Sequence, residues 1–191
     1  MKKLITDIEK YIPFNEQEAC DKKIILNWLK KDIDVLTRNN LEAHFTSSAW
    51  VISPDFRKVL LVYHNIYNSW SWMGGHADGE SDLLDVAIKE VKEESGLKHV
   101  EVLTPDIFSL EVLCVDGHEK KGKYVPSHLH LNVTYLLTAL VSDELSIKPD
   151  ENSGVEWIDI NDIDKKVTEE WMKKRVYSKL CSKVDELYVQ K

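Results

Sequence analysis

Three glutamates on one predicted helix are the residues of this chain best suited to bind a metal ion. Glu90, Glu93 and Glu94 stand at positions i, i+3 and i+4, so a helix brings them onto one stripe of its surface. Like charges at this spacing repel each other by roughly 0.2–0.5 kcal/mol per pair, and a bound cation would relieve that repulsion. Because every donor is a carboxylate oxygen, the expected ion is hard and divalent: Mg²⁺, with Mn²⁺ as a substitute, rather than zinc or copper.

A glycine-rich segment precedes these glutamates and strengthens the metal hypothesis. Gly74 and Gly75 lack side chains, so their backbone can come close to the same ion or to the phosphates of a substrate. Without this segment, a solvated acidic helix face, partly balanced by Lys89 and Lys92, is the more ordinary interpretation, since charged helix faces are common. With both features present, the pattern favours a site for metal and phosphate.

The helix that carries the glutamates is the best-defined element in the sequence. Apolar residues recur at helical spacing between Leu83 and Ser95, which predicts a buried face beside the acidic stripe. Ser81 or Asp82 is expected to cap its N-terminus, and Gly96 stands where a left-handed residue usually ends a helix. The sequence therefore marks this helix at both ends.

The other elements are a mixture of helices and short strands. Residues 1–40 show helical periodicity interrupted at Pro13, which predicts two helices. Residues 65–80 are rich in glycine and are expected to form a loop. Runs of β-forming residues predict strands near 47–52, 58–64, 108–115, 130–141 and 155–158. A charged run predicts a last helix near 169–188. Because strands and helices do not alternate regularly, this order favours an α+β domain or an α/β domain with a mixed sheet.

The segment from Gly75 to Leu97 resembles the box motif of the Nudix hydrolase family, G-x5-E-x7-R-E-U-x-E-E-x-G-U, in which U is a bulky aliphatic residue. The spacing of that motif is kept throughout. Two positions depart from it: Ser81 replaces the first glutamate and Lys89 replaces the arginine. In the family these two residues are thought to pair, and here Glu80 is expected to pair with Lys89 through a weaker monodentate contact.

The resemblance implies a fold and an activity for the whole chain. The expected fold is a Nudix-like α/β/α sandwich with a mixed sheet over residues 41–191, preceded by an N-terminal helical extension over residues 1–40. The expected protein is a magnesium-dependent hydrolase of the pyrophosphate bond in a nucleoside diphosphate linked to another moiety, that is, a nucleotide or nucleotide-sugar pyrophosphohydrolase. The alternative is a non-catalytic Nudix-fold sensor that binds a nucleotide, and the intact glutamates of the box argue against it.

The resemblance also assigns roles to individual residues. Glu90, Glu93 and Glu94 are expected to hold the metal, with the carbonyl of Gly74 as a further ligand. Glu151 lies in a segment that resembles the late loop from which some family members supply another carboxylate. Glu90 and Glu151 are therefore alternatives for the general base, and the sequence does not choose between them.

Histidines are the candidates for contact with the rest of the substrate. His128 and His130 alternate along a predicted strand and share one of its faces with Asn132. Hydrogen bonding to substrate, a plain hydrogen-bonded histidine pair and a zinc site are all open interpretations, and zinc would need further ligands. Together with Gly75 and His76 of the glycine-rich segment, the two histidines are the expected substrate-binding residues.

The composition limits the partners and the compartment. Lys and Arg total 25 against 33 Asp and Glu, a formal net charge of -8 that opposes binding to duplex nucleic acid. No segment is apolar enough for a membrane span of about 20 residues, and the cysteines form no C-x-x-C pair. The expectation is a cytoplasmic protein that binds a small phosphorylated nucleotide, with a homodimer left open.

Overall fold

Two units, each built from separate stretches of the chain, make up the structure, a computed structural model that describes residues 1–120 and 122–189. The first unit contains residues 1–48, 74–87 and 106–135, and the second contains residues 49–73, 88–105 and those from 136 onwards. Each unit therefore depends on residues that are distant from one another in the sequence.

The elements are numbered in chain order. The α-helices are α1 (Lys2–Lys10), α2 (Glu16–Leu29), α3 (Leu83–Ser95), α4 (Ile163–Lys166) and α5 (Ser178–Val189), with a 3-10 turn at Ile160–Asp162 and a π-helix at Met172–Tyr177. The strands are β1 (Ala43–Ile52), β2 (Lys58–His64), β3 (Ser69–Ser71), β4 (Met73–His76), β5 (Glu101–Val102), β6 (Ser109–Val115), β7 (His118–Lys120), β8 (Lys123–Val125), β9 (His128–Thr138) and β10 (Asn152–Asp159). Within the described residues, no helix has the length and apolar character that a membrane span requires.

A buried carboxylate ties the N-terminal helices of the first unit to a strand. Glu18 of α2 is fully buried, and its carboxylate accepts hydrogen bonds from the hydroxyls of Tyr11 and Ser109 at 2.6 and 2.7 Å. Ser109 begins β6, which pairs antiparallel with β9 so that Leu113 lies opposite His130. The two predicted N-terminal helices are confirmed, and α1 and α2 belong to the same unit as Ser109 and His130. The helical pattern expected as far as residue 40 is wrong beyond Leu29: residues 30–40 form turns and bends, in which the Asp34 carboxylate accepts a hydrogen bond from the N–H of Leu36.

The strands of the larger sheet follow the order β10-β2-β1-β9-β5, with β3 also paired to β2. The pairs β10–β2, β1–β2 and β5–β9 are antiparallel. The rings of Trp50 on β1 and Tyr177 are both fully buried and stack with their centroids 5.4 Å apart. Because Tyr177 lies just before α5, this contact joins the C-terminal helix to the sheet, and large buried rings contribute strongly to core stability.

The mixture of helices and sheet confirms the expected α+β class, but one local expectation is wrong. Residues 65–80 were expected to form a loop, and they contain β3 and β4. Each of these short strands is stabilised by strand pairing: β3 forms a hairpin with the preceding β2, and β4 pairs with β1. A Cβ atom on Gly74 would lie 2.5 Å from the carbonyl oxygen of Ser47, so glycine here allows close strand packing.

Helix α3 ends at Gly96, as the sequence predicts, and the segment that leads to Glu151 packs on this end. Gly96 has φ 74°, in the left-handed region, and its N–H donates to the carbonyl of Lys92 at 3.0 Å. The N–H of Ser146 donates to the carbonyl of Ser95 at 2.8 Å. A Cβ atom at Gly96 would overlap the side chain of Ser146.

We expect Gly96→Ala to lower the free energy of unfolding more than Gly122→Ala. Both glycines have φ 74°, so both variants carry left-handed strain of roughly 1–2 kcal/mol. At Gly96 the new methyl group also meets Ser146, which adds an overpacking cost of about 1–3 kcal/mol, whereas the space at Gly122 is open. Urea unfolding measures both losses; equal losses would contradict the close packing of Ser146 on the end of α3.

Candidate active site

Three carboxylates from two parts of the second unit meet at one place. Glu90 and Glu94 stand one helical turn apart on α3, and Glu151 lies in the turn before β10. One oxygen from each carboxylate lies within 4.8 Å of the other two. The side-chain amide of Asn152 donates to the backbone carbonyl of Glu94 at 2.9 Å, which fastens this turn to the helix. Glu90, Glu94 and Glu151 are called the carboxylate triad below.

The carboxylate triad is partly withdrawn from water. Glu94 is buried, with 4% of its surface exposed, and Glu90 is half-buried. Burial, followed by the negative charge of Glu93, raises the pKa of Glu90 above its ordinary value, against the opposing effect of Lys148. Ionisation of the triad is therefore unfavourable without a cation, because the charged oxygens lose water and repel each other.

Glu93 contacts lysines instead of the triad. Its carboxylate lies 3.2 Å from the ammonium of Lys148 and 3.6 Å from that of Lys89, and the hydrogen bond from Lys148 lowers its pKa. Counted from Glu90, a residue at i+3 lies about 60° to one side of the helix and a residue at i+4 about 40° to the other. Glu93 and Glu94 therefore diverge, and Glu94 is the one that joins the triad.

Lys148 supplies a positive charge at the edge of this site. Its ammonium lies 3.0 Å from the carboxylate of Glu151 as well as 3.2 Å from that of Glu93. Burial disfavours the charged lysine, but the hydrogen bonds to Glu151 and Glu93 outweigh burial and raise the pKa of Lys148. A cation that binds the triad must therefore compete with Lys148 for Glu151.

The donor set of the triad fits a hard divalent cation. The three residues offer carboxylate oxygens alone, which Mg²⁺ and Mn²⁺ prefer over the nitrogen and sulfur ligands typical of zinc or copper. When ionised, the triad carries three negative charges, and Lys148 forms an ion pair with one of them, that of Glu151. The partial burial of Glu90 and Glu94 makes this excess charge more costly, and so increases the gain from binding a cation.

The glycine-rich segment lies in the first unit, on β4. Gly74 is exposed, and Gly75 and His76 are half-buried, so this stretch of backbone is open to a ligand. The N–H of Ala77 donates to the carbonyl of Phe45 on β1 at 3.0 Å, which holds the end of β4 in place. The exposure of this segment is compatible with the ligand-binding role expected for its backbone.

Glu80 and Lys89, which the sequence expects to pair, each have another partner. The carboxylate of Glu80 accepts hydrogen bonds from the backbone N–H groups of Ser81 and Asp82 at 2.7 and 2.8 Å, just before α3 begins. The bonds from Asp82 and then Ser81 lower the pKa of Glu80. The ammonium of Lys89 lies 3.6 Å from Glu93 on the next helical turn.

Histidines from three strands meet in the first unit. The ring centroid of His44 on β1 lies 5.2 Å from that of His76 on β4, and 4.8 and 5.1 Å from those of His128 and His130 on β9. The Nε2 atoms of His128 and His130 are 3.1 Å apart, so the expectation that these two share a face is confirmed. The sequence assigned no role to His44, because its place depends on how the strands pair. These four residues are called the histidine cluster.

Comparison with known proteins identifies the family. The family described as the NUDIX domain matches residues 43–180 of this chain. A curated human relative, nucleoside diphosphate-linked moiety X motif 6, is 28% identical over 119 residues, which are 60% of this chain and 34% of the human protein. The match thus spans about a third of the length of that relative. The chain belongs to the Nudix domain family, which confirms the resemblance seen in the box motif.

Solved structures show the same fold. A NUDIX-family hydrolase from Clostridium perfringens matches with a TM-score of 0.54 and 21% identity over 75% of this chain and 97% of its own. An Ap4A hydrolase from C. elegans matches with a TM-score of 0.54 and 19% identity over 77% of this chain and 98% of its own. An ADP-ribose pyrophosphatase from Streptococcus suis matches with a TM-score of 0.50 and 23% identity over 75% of this chain and 90% of its own. These similarities confirm the Nudix-like fold.

We expect Lys148→Gln to strengthen the response of the protein to Mg²⁺, because it removes the cation that competes for Glu151. Exposed ion pairs contribute up to about 1 kcal/mol, so the gain in affinity should be roughly two- to fivefold. Lys166→Gln is the matched control, since Lys166 contacts Glu156 at 3.1 Å in the same unit. The measurement is the rise in melting temperature from EDTA to Mg²⁺. A rise in Lys148→Gln no larger than in the control would contradict the competition.

Proposed function

We propose that the protein is a magnesium-dependent hydrolase that cleaves the pyrophosphate bond of a nucleoside diphosphate linked to another moiety. The observation that carries this proposal is the carboxylate triad, in which two glutamates of the box motif meet Glu151 from a distant part of the sequence. The names of relatives support a nucleotide-type substrate: the human relative is a nucleoside diphosphate-linked moiety X motif protein, and two similar structures are an Ap4A hydrolase and an ADP-ribose pyrophosphatase.

Glu90, Glu94 and Glu151 would hold Mg²⁺, or Mn²⁺ in its place. The carbonyl of Gly74 and the carboxylate of Glu93, both expected from the sequence, are proposed as further ligands, and Glu93 would have to leave its lysine partners to take this role. When bound, Mg²⁺ neutralises phosphate charge and makes water more acidic. The protein itself contributes by keeping the carboxylates together in a partly buried place.

A carboxylate must accept the proton of the attacking water, and Glu90 and Glu151 are the two candidates. Glu151 is ion-paired with Lys148 at 3.0 Å, so its carboxylate already has a cationic partner. Glu90 is half-buried and repelled by Glu93, both of which strengthen it as a base. We therefore favour Glu90 for proton transfer and Glu151 for holding the ion.

Gly75, His76, His128 and His130 are proposed to contact the parts of the substrate outside the reacting phosphates. The partner would be a small phosphorylated nucleotide, because the formal net charge of -8 opposes duplex nucleic acid. A cytoplasmic location, a homodimer, and the division into an extension over 1–40 and a Nudix domain over 41–191 remain predictions from the sequence.

The alternative of a Nudix-fold sensor that binds a nucleotide without cutting it has no observation in its favour. A pure binding protein gains nothing from three mutually repelling carboxylates at one place. Turnover separates the two functions, because a sensor would bind nucleotides and release no product.

The test of the proposed function is a product-release assay over a panel of nucleoside triphosphates, dinucleoside polyphosphates and nucleoside diphosphate sugars. We expect hydrolysis of at least one substrate with Mg²⁺, loss of that activity in EDTA and recovery with Mg²⁺ or Mn²⁺, because the triad has oxygen ligands alone. Activity that persists undiminished in excess chelator would rule out the metal-dependent mechanism.

We expect Glu90→Gln to reduce turnover by orders of magnitude, whereas Glu156→Gln should leave it unchanged. Several kcal/mol of transition-state stabilisation depend on a group that both holds metal and accepts a proton, and each ~1.4 kcal/mol is a factor of ten in rate. Glu156, on β10, is a suitable control because its carboxylate contacts Lys166 at 3.1 Å and is not part of the triad. A Glu90→Gln enzyme with more than about a tenth of the wild-type rate at saturating Mg²⁺ would show that Glu90 is not catalytic.

The same variant should be at least as stable as the wild type in EDTA at pH 7. A carboxyl whose pKa is raised by folding holds its proton more tightly in the folded state, so its ionisation costs stability above the folded pKa. The cost is absent below the unfolded pKa of about 4.3. The advantage of Glu90→Gln in urea unfolding should therefore shrink as the pH falls towards 4; growth of that advantage would contradict the raised pKa.

A further inference from the structure

A second group of metal-ligating side chains lies in the first unit, and it consists of nitrogen donors. We infer that His44, His76 and His130 bind a divalent transition-metal ion of the class that imidazole prefers, with zinc as the reference case. One ring nitrogen from each of these residues lies within 4.8 Å of the other two. The inference does not rest on the proposed hydrolase function, because it concerns metal binding by a different set of residues.

His44 provides the most specific observation. Its ring is buried, and its Nδ1 lies 3.0 Å from the backbone carbonyl oxygen of Asn40. Because a carbonyl only accepts hydrogen bonds, Nδ1 must carry the proton, and the neutral ring then has a lone pair on Nε2. That Nε2 atom is itself buried and has no hydrogen-bond partner within the described part of the chain. A buried acceptor in this state is unfavourable, and a metal ion would satisfy it.

His128, beside the proposed ligands, also has its Nδ1 atom bonded to a backbone carbonyl oxygen. Its Nδ1 donates to the carbonyl oxygen of Pro126 at 2.8 Å, and its Nε2 is hydrogen-bonded to Nε2 of His130 at 3.1 Å. Histidines that bind metals usually donate the other ring N–H to a carbonyl or carboxylate, which fixes the ring and its tautomer. The carbonyls of Asn40 and Pro126 do this for two rings of the histidine cluster, and His128 in turn is bonded to the proposed ligand His130.

Two of the three proposed ligands are held in the protonation state that binds metal. Burial, followed by the neighbouring histidines, lowers the pKa of His130 to about 2, and burial also lowers the pKa of His44. Neutral imidazole is the form that ligates, so these rings need not release protons when an ion binds at neutral pH. Nitrogen donors also disfavour Mg²⁺, which prefers oxygen. The histidine cluster and the carboxylate triad should therefore select different metals.

Three histidine ligands have a chemical consequence for the substrate. A zinc ion held by three protein ligands keeps a coordination position for water or for a substrate oxygen, as in catalytic zinc sites. The role proposed for His76 and His130 in substrate binding would then be exerted through the ion.

The experiment is a titration of full-length protein without a histidine tag, in excess Mg²⁺, with Co²⁺ and then with Zn²⁺ in competition with a chromophoric chelator. We expect one equivalent of Co²⁺ with the strong visible absorption of a four-coordinate nitrogen site, displaced by Zn²⁺ and not by Mg²⁺. Displacement of the ion by Mg²⁺, the weak spectrum of solvated Co²⁺ or the absence of stoichiometric binding would overturn the inference.

Variants locate the site. His44→Asn, His76→Asn and His130→Asn should each weaken Zn²⁺ binding at least about tenfold, and His64→Asn and His99→Asn, in the second unit, should leave it unchanged. Melting curves identify any variant that fails to fold, and His76 is half-buried, so its replacement keeps the test valid if His44→Asn unfolds. Equal affinity in all five variants would overturn the inference. Turnover is measured in parallel to separate the two proposals. Zn²⁺ binding tests the histidine site and turnover tests the hydrolase function, so either can fail without the other.

Discussion

Repulsion among Glu90, Glu94 and Glu151 is the constraint on which the rest of the second unit depends. Three carboxylate oxygens within 4.8 Å, in a partly buried place, are unfavourable without a cation. Lys148 offsets part of this repulsion through Glu151, and the amide of Asn152 holds the turn against α3. The remaining stability has to come from parts of the unit without a role in the site, such as the buried rings packed on β1. Sites that bind ligands commonly trade stability for function in this way.

The two units offer different chemistry because their side chains differ in type. The carboxylate triad in the second unit presents oxygen, which suits Mg²⁺ and Mn²⁺, and the histidine cluster in the first unit presents neutral nitrogen, which suits zinc and its neighbours. The state of each group before an ion binds differs as well. The triad repels itself, whereas the cluster holds a buried Nε2 atom of His44 without a hydrogen-bond partner among the described residues.

Local sequence signals predicted the parts of the site that depend on local structure. The helical spacing of apolar residues and Gly96 defined α3, and the box motif identified the glutamates on it. Those signals could not tell which of Glu93 and Glu94 joins Glu90 in the triad, because that depends on where Glu151 and Lys148 lie, and both are far away in the sequence. The box motif equally could not reveal that Glu80 bonds to the backbone beside it.

Features set by strand pairing were harder to predict. The short strands β3 and β4 have glycine and serine where strong β-forming residues would be expected, and their pairing with β2 and β1 creates them. His44 joins the histidine cluster because β1, β4 and β9 come together, a contact that no local motif records. Asn132, expected on the same strand face as the histidines, accepts hydrogen bonds from Thr46 and Ser48 in the buried interior.

The most direct test of the central claim is Mn²⁺ binding, followed through the electron paramagnetic resonance signal of the free ion, in Glu151→Gln and in its neighbour variant Asp150→Asn. Glu151 contributes an oxygen to the carboxylate triad, whereas Asp150 is exposed and is not one of its members. The expected result is a Kd at least about tenfold higher in Glu151→Gln, a loss of ~1.4 kcal/mol or more, with no change in Asp150→Asn. An unchanged Kd in Glu151→Gln, in protein that melts normally, would contradict the claim that these three carboxylates form the metal site.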